Sequence, residues 1–206
     1  MAPPAPSTSV APPVTVVIGS SAHADDSELV EEVARLINAA YHNSVKDLQT
    51  LPEGKHVRIT ALEVCSRFQA SREMRNRPNR VLHLAFRQGK VVGCCSSTLQ
   101  PPWTQAKCGH WGLLAVATAA QGTGVASELV RAAEQSLQQG GCTHVQIEYE
   151  YNSGHAYSQR LMDWYEVKLG FRSNSPWLVN RLIGLVIGRG GSEFRRCQRD
   201  LVQRQS

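Results

Sequence analysis

Leu113–Leu129 reads LLAVATAAQGTGVASEL. It opens as an unbroken apolar run, Leu113-Leu114-Ala115-Val116, crosses Gln121-Gly122-Thr123-Gly124-Val125-Ala126, and continues into an amphipathic segment. That succession reads as a buried strand, a glycine-rich turn and a helix. The two glycines leave backbone N–H groups uncovered where the helix begins. A helix N-terminus carries unpaired donors and a partial positive charge, so the stretch suits a phosphate or pyrophosphate. The spacing is not G-x-x-x-x-G-K-[ST], because no Lys follows the second glycine, which argues against an NTPase loop. It is not G-x-G-x-x-G either, because Ser127 holds the third place. A glycine turn with no ligand would look the same over so short a span, so the flanking chain has to decide.

Working outward on the N-terminal side, Gly109–Val116 reads as the strand that feeds the turn. Before it, Arg80–Arg87 and Lys90–Leu99 form two strands joined at Gln88-Gly89, a hairpin signal ended by Pro101-Pro102. Val14–Ser20 is a first strand by its β-branched content. Asp25-Asp26-Ser27-Glu28 offers a D-x-x-E capping box. Leu29, Val33, Leu36 and Ala40 then recur at helical spacing, so Asp26–His42 is expected to be a helix. Residues 44–56 are loop-like, and Thr60–Ser71 reads as a second, shorter helix.

On the C-terminal side the helix after the turn extends to about Gln139 and is closed by Gly140-Gly141. His144–Tyr151 alternates, with Val145, Ile147, Tyr149 and Tyr151 on one face and His144, Gln146, Glu148 and Glu150 on the other. Ser158–Leu169 is a helix stopped by Gly170, and Phe171 begins a strand. Residues 173–191 form an unusual apolar insert, and Glu193–Leu201 is a last, charge-rich strand expected near a sheet edge.

Composition narrows the function. The chain has 206 residues, enough for one domain over 14–202 with a Pro/Ala/Ser-rich lead-in, expected to be disordered, over 1–13. No apolar run is long enough to span a membrane. The N-terminal stretch has neither the basic region and apolar core of a secretory signal nor the arginines of a mitochondrial presequence, so a cytoplasmic protein is expected. Six cysteines contain no C-x-x-C pair, which argues against a metal site and fits reduced, mostly buried thiols. The net charge of +5 is modest. Arg72, Arg75, Arg77 and Arg80, and the C-terminal Arg189, Arg195, Arg196, Arg199 and Arg204, lack the aromatic interleaving or docking motif of a nucleic-acid reader and are expected as solvated surface.

Two motifs carry a resemblance. Gln121, Gly124 and Ala126 match [QR]-x-x-G-x-[GA], with Val116 five residues before the Gln and Thr118 where proline is common. Tyr165-Glu166-Val167-Lys168-Leu169-Gly170-Phe171 looks like a Tyr-Glu-x-Leu-Gly-Phe ending. Together with the element order β-α-α-β-β-β-α-β-α-β-β, they make the chain resemble the GNAT acetyltransferase superfamily from about Val14 to Leu201. The resemblance implies an α/β (α+β) fold with a mixed, mostly antiparallel sheet of about seven strands flanked by about four helices. Two departures stand out: Tyr165 is one residue farther from Gly170 than the family's interval, and Ser158 replaces the usual Asn.

What the resemblance implies for chemistry is direct acyl transfer from acetyl-CoA to an amine, without a covalent enzyme intermediate. Gln121, Gly122, Thr123, Gly124, Val125 and Ala126 would surround the pyrophosphate. Leu114 and Val116 would pair their backbone with pantetheine, Val116 N–H would meet the oxyanion, and Ser158 would touch the pantetheine arm. Tyr165 would protonate the departing sulfur. A carboxylate on the Glu148/Glu150 face could take the ammonium proton, although the same face reads equally as solvated; His110 is the other candidate base. A small-molecule amine is favoured over a protein acceptor, because no peptide-docking module is evident. A protein or peptide acetyltransferase, a non-catalytic acyl-CoA sensor and a nucleotide-binding protein of another fold are the alternatives. The 173–191 insert could cover the acceptor cleft, pack on the core, or join two copies as a homodimer.

Overall fold

The computed structural model describes residues 12–46, 58–73, 79–173 and 192–201. In chain order the elements are β1 (Thr15–Ile18), α1 (Ser21–Ala24), α2 (Ser27–Lys46), α3 (Ala61–Glu73), β2 (Arg80–Arg87), β3 (Lys90–Thr98), β4 (Cys108–Val116), α4 (Val125–Gln139), β5 (His144–Asn152), α5 (Ala156–Met162), β6 (Arg172–Ser173) and β7 (Ser192–Asp200). A 3₁₀ turn, Thr118–Ala120, joins β4 to the glycine loop. The expected 173–191 insert lies, beyond Ser173, outside the described residues, as do 1–11 of the lead-in, most of the expected 44–56 loop, Arg75 and Arg77, and Arg189 and Arg204.

The strands form one sheet ordered β1-β2-β3-β4-β5-β7-β6. Every neighbouring pair is antiparallel except β4 and β5, which run parallel. The helices cover both faces. Strand alternation sends Leu82, Leu84, Cys94 and Ala115 to one face, where Val33, Ile37, Val64 and Phe68 of α2 and α3 bury them. It sends Ala85, Cys95, Trp111, Val145 and Ile147 to the other, beneath Leu129, Ala133 and Leu137 of α4. Cys94 and Cys95 thus point to opposite faces. Gly93 and Gly109 let α4 come close: a Cβ on Gly93 would sit 2.9 Å from Leu129, and one on Gly109 2.6 Å from Leu137.

Several sequence expectations need correction. The helix box anticipated at Asp25/Glu28 does not form; Asp26 Oδ1 caps α2 by accepting the Leu29 N–H at 3.0 Å, and a separate short turn, α1, precedes it. The last strand does lie near a sheet edge: β7 is next to last in the sheet, followed by the two-residue β6. Nine residues of β7 pair with β5, and β6 covers Cys197 and Gln198 on its other side. Arg195 and Arg199 are not solvated surface, although Arg196 is exposed: Arg199 Nη2 bonds both Glu134 oxygens at 2.6 and 2.5 Å, and Trp111 Nε1 donates to the same carboxylate at 3.2 Å, tying β7 to α4. Among the described residues no helix is long and apolar enough to cross a membrane.

Candidate active site

β4 and β5 stay together at only three positions, Cys108–His144, Gly109–Val145 and His110–Gln146. Beyond His110 their pairing ends. The local cause lies in β4: Gly112 faces Ser96 and Ala115 faces Cys94, so Leu113 and Leu114 together oppose Cys95. Leu113 takes a left-handed φ of +52°, and such a bulge bends and twists its strand. Ala117 N–H bonds Val92 O at 2.9 Å, which fixes the alternation of β4. The N–H groups of Leu114 and Val116 therefore turn away from β3, toward the side from which β5 has departed.

The glycine loop sits at the mouth of this gap. Gly122 and Gly124 have φ of +75° and +88°, a region that penalises any Cβ. Gly124 is the N-cap of α4 and, having no side chain, supplies no cap; the first intrahelical bond is Glu128 N–H to Gly124 O at 3.1 Å. The amides of Gly124, Val125, Ala126 and Ser127 precede that bond, so they are the orphan donors of this helix. Gln121 Nε2 reaches back to Val116 O at 3.4 Å, and Thr123 Oγ1 donates to Ala120 O at 2.7 Å, bracing the loop.

Tyr165 is held by an unusual helix. α5 ends at Met162 and continues as one π-helical turn over Asp163–Lys168. Leu169 N–H bonds Trp164 O at 3.0 Å, five residues back. A π turn accommodates one extra residue, so the longer Tyr165–Gly170 interval is absorbed without turning the tyrosine outward. The surplus side chain is Val167, 75 % exposed. The Tyr165 ring lies 4.9 Å from that of Tyr149, 5.9 Å from Trp111 and 5.2 Å from Trp164. Burial holds its hydroxyl pKa well above the ordinary tyrosine value, and nearby Tyr41 and Tyr157 add to this, so the proton stays on the oxygen. Glu166, next along the π turn, accepts from Tyr149 Oη at 2.5 Å and forms an ion pair with Arg195, Nη1 lying 2.8 Å from its carboxylate, pinning the turn to β5 and β7.

The other candidate groups occupy the opposite face of the sheet. Glu148 Oε1 accepts from Arg196 Nε and from Gln146 Nε2, both at 3.0 Å, and Gln146 accepts from Gln198 at 2.7 Å. Gln146 is buried, so this is not the uniformly solvated face that the alternation also allowed. Glu150 is exposed on the same face. His110 stands at the last β4–β5 pair. Its ring lies along the strand over Gly112, where an added Cβ would come within 3.0 Å of Cε1, and the Trp103 ring meets it edge-on at 6.0 Å. Burial lowers its pKa below the ordinary histidine value; Arg80 lowers it further and Glu148 opposes both. At neutral pH His110 is therefore an unprotonated imidazole.

Tyr165 packs with Trp111 and Tyr149 on one face of the sheet, and Glu148, Glu150 and His110 stand on the other face of β4 and β5. Sequence reasoning missed Trp103, Arg196 and Glu166. Trp103 and Arg196 carry no local mark of a role, and Glu166 stood in the Tyr-Glu motif, but its ties to β5 and β7 appear only in the fold. A ligand of the coenzyme A kind fits what is present: uncapped α4 amides for a pyrophosphate, open strand edges for amide groups, and Ser158 Oγ, which is buried with no partner among the described residues. Among those residues no group of three metal-binding side chains occurs.

Comparisons with known proteins bear on this geometry. The family model described as "Acetyltransferase (GNAT) family" matches residues 44–171. No curated protein sequence matches the chain. Among solved structures, the PaiA N-acetyltransferase of Thermoplasma acidophilum in complex with coenzyme A is similar at 9 % identity, covering 89 % of this chain and 98 % of its own, with a TM-score of 0.62. The yncA protein of Salmonella typhimurium with its cofactor acetyl-CoA is similar at 16 % identity, 94 % and 97 % coverage and a TM-score of 0.58. An aminoglycoside 6'-acetyltransferase type Ii, at 15 % identity, covers 93 % of this chain and 99 % of its own with a TM-score of 0.58. At these identities the structures share the fold, and the family match spans well over half the sequence: the chain belongs to the GNAT acetyltransferase family.

Proposed function

We propose that the protein is an N-acetyltransferase that moves the acetyl group of acetyl-CoA directly onto a primary amine, that of a small molecule rather than a protein. The observation that carries this reading is the parting of β4 and β5 beyond His110; in this reading Tyr165 from one face and His110 from the other serve the cleft opened there. Acetyl-CoA, when bound, supplies an acyl group already activated as a thioester. The residues then have four tasks. The amides of Gly124, Val125 and Ala126 hold the pyrophosphate, with Gln121, Gly122 and Thr123 shaping the loop, and Leu114 and Ser158 fix the pantetheine arm. The Val116 N–H, facing the gap, donates to the developing oxyanion. Glu148 and Glu150 draw the cationic acceptor to their face. His110 takes the ammonium proton: it is neutral, whereas one Glu148 oxygen is already engaged by Arg196 and Gln146. Tyr165, kept protonated by its buried setting, donates to the departing sulfur.

The aminoglycoside-acetylating neighbour in fold supports a small amine as acceptor. The test is free-thiol release from acetyl-CoA against aminoglycosides, polyamines, amino acids and peptides, with Tyr165→Phe and His110→Gln beside the wild type. Turnover with a small amine, cut at least roughly tenfold in each variant, is the expected result. Turnover with peptides alone would replace the acceptor class. Tight coenzyme A binding with no turnover in the whole panel would replace the enzyme by an acyl-CoA sensor.

A further inference from the structure

Arg87 ends β2 and reaches across to the glycine loop. Its Nη2 donates to Thr123 Oγ1 at 3.0 Å, and that hydroxyl is itself held by its 2.7 Å bond to Ala120 O. One hydrogen bond therefore tethers the guanidinium to the loop that precedes α4. Unlike Arg195, Arg196 and Arg199, which meet Glu166, Glu148 and Glu134, Arg87 has no carboxylate partner among the described residues. Its Nε is buried with no acceptor among them. A partly buried cation without a counter-charge is unfavourable until an anion joins it. Lys90 adds to the charge. It faces Arg87 directly across the Gln88-Gly89 turn, so both side chains leave the same face of the hairpin, and Lys90 is exposed.

We propose that Arg87, with Lys90 as an outer partner, binds the 3′-phosphate of the adenosine of coenzyme A; this rests on the coenzyme A reading of the cleft. The position selects the phosphate. β3 and β4 lie between β2 and β5, so Arg87 approaches the loop from the side away from the cleft. On a ligand whose acyl end lies in the cleft and whose pyrophosphate meets the α4 amides, the group found there comes after the pyrophosphate. A terminal phosphomonoester carries more charge than a bridging phosphate and matches a guanidinium fork bidentately. Thr123 orients that fork and leaves its other donors to the ligand.

The experiment is calorimetric titration of coenzyme A and 3′-dephospho-coenzyme A into the wild type, Arg87→Gln, Arg87→Lys and Lys90→Gln. The wild type is expected to prefer coenzyme A by about ten- to a hundredfold. Arg87→Gln abolishes that preference and leaves the affinity for dephospho-coenzyme A unchanged; Lys90→Gln reduces the preference only a few-fold. Arg87→Lys, which keeps the charge but loses the fork, falls between, and it supplies the test if Arg87→Gln does not give a normal melting curve. Equal weakening of both ligands in Arg87→Gln overturns the 3′-assignment and moves Arg87 to the pyrophosphate or to loop shape. Unchanged binding of both overturns any ligand role. A wild type that binds neither compound overturns the acetyl-CoA reading itself, a failure distinct from both.

Discussion

At the start of α3 the Thr60 hydroxyl accepts the Glu63 N–H at 3.2 Å, while Glu63 Oε2 accepts the Thr60 N–H at 2.8 Å and its hydroxyl at 3.0 Å. At the start of α4 the capping position is Gly124, with no side chain to offer. Both helices begin beside the same sheet and face the same deficit of hydrogen-bond partners. One closes its own end; the other leaves donors standing at the mouth of a gap. The strands repeat the contrast. β5 pairs with β7 along its full length and with β4 at three positions only. Backbone groups are paired at the start of α3 and along β5–β7, and left open at the β4 edge and at the α4 N-terminus.

That contrast can be broken at either helix. The largest effect is expected for Gly124→Val. A β-branched residue at φ +88° costs roughly 1–3 kcal/mol of strain. Displacing the α4 amides should also weaken coenzyme A binding by at least about a hundredfold by titration, since several charge-assisted hydrogen bonds go together. Normal affinity in a folded Gly124→Val protein would mean that the open end of α4 serves the turn and nothing else.

The next effect concerns a buried atom left open away from the cleft. His83 is 1 % exposed; its Nε2 meets Ser97 Oγ at 2.9 Å, and its Nδ1 has no partner among the described residues. Burial lowers its pKa from 6.5 to about 4. A depressed histidine pKa means that the unfolded chain binds the proton more readily. Stability is therefore full above about pH 6.5 and falls toward pH 4, by about 3 kcal/mol for this one group. Urea unfolding of wild type and His83→Gln at pH 7 and at pH 4.5 should show the steeper loss in the wild type. Parallel losses would show that His83 titrates normally in the fold.

The smallest effect belongs to the closed helix. Thr60→Ala should cost about 1 kcal/mol in thermal or urea unfolding and leave coenzyme A affinity unchanged. A change in affinity would tie α3 to the cleft and remove the distinction between the two helix starts.

Much of this was legible in the chain. The hairpin bounds at Arg80–Arg87 and Lys90 followed from a short Gly-containing turn between apolar runs, and the split of Cys94 and Cys95 between faces followed from period two. The glycine loop was legible because glycine is the residue that accepts a left-handed φ without cost. The setting of the last strand's charges was misread for a definite reason. Its charges, Arg195 and Arg199, read as solvent-facing, but they pair with Glu166 and Glu134, far back in the chain, and such pairing leaves no local mark. Likewise His110 and Arg196 are ordinary residues until the sheet brings them near Glu148.

The sequence by itself determined the element order, the glycine loop and the presence of a tyrosine one residue out of the family's register. Those depend on local preferences: turn chemistry, strand alternation and helix periodicity. Only the tertiary structure decided whether that tyrosine faced inward. Gly170 and Phe171 are anchored at one end of the segment and the Tyr149–Glu166–Arg195 contacts at its middle, so the surplus residue had to be taken up between fixed points, and a π turn does this by pushing Val167 into solvent. The same holds for the gap between β4 and β5. It arises from a bulge in one strand and the pairing of the next with β7, a balance of long-range hydrogen bonds that no stretch of sequence contains.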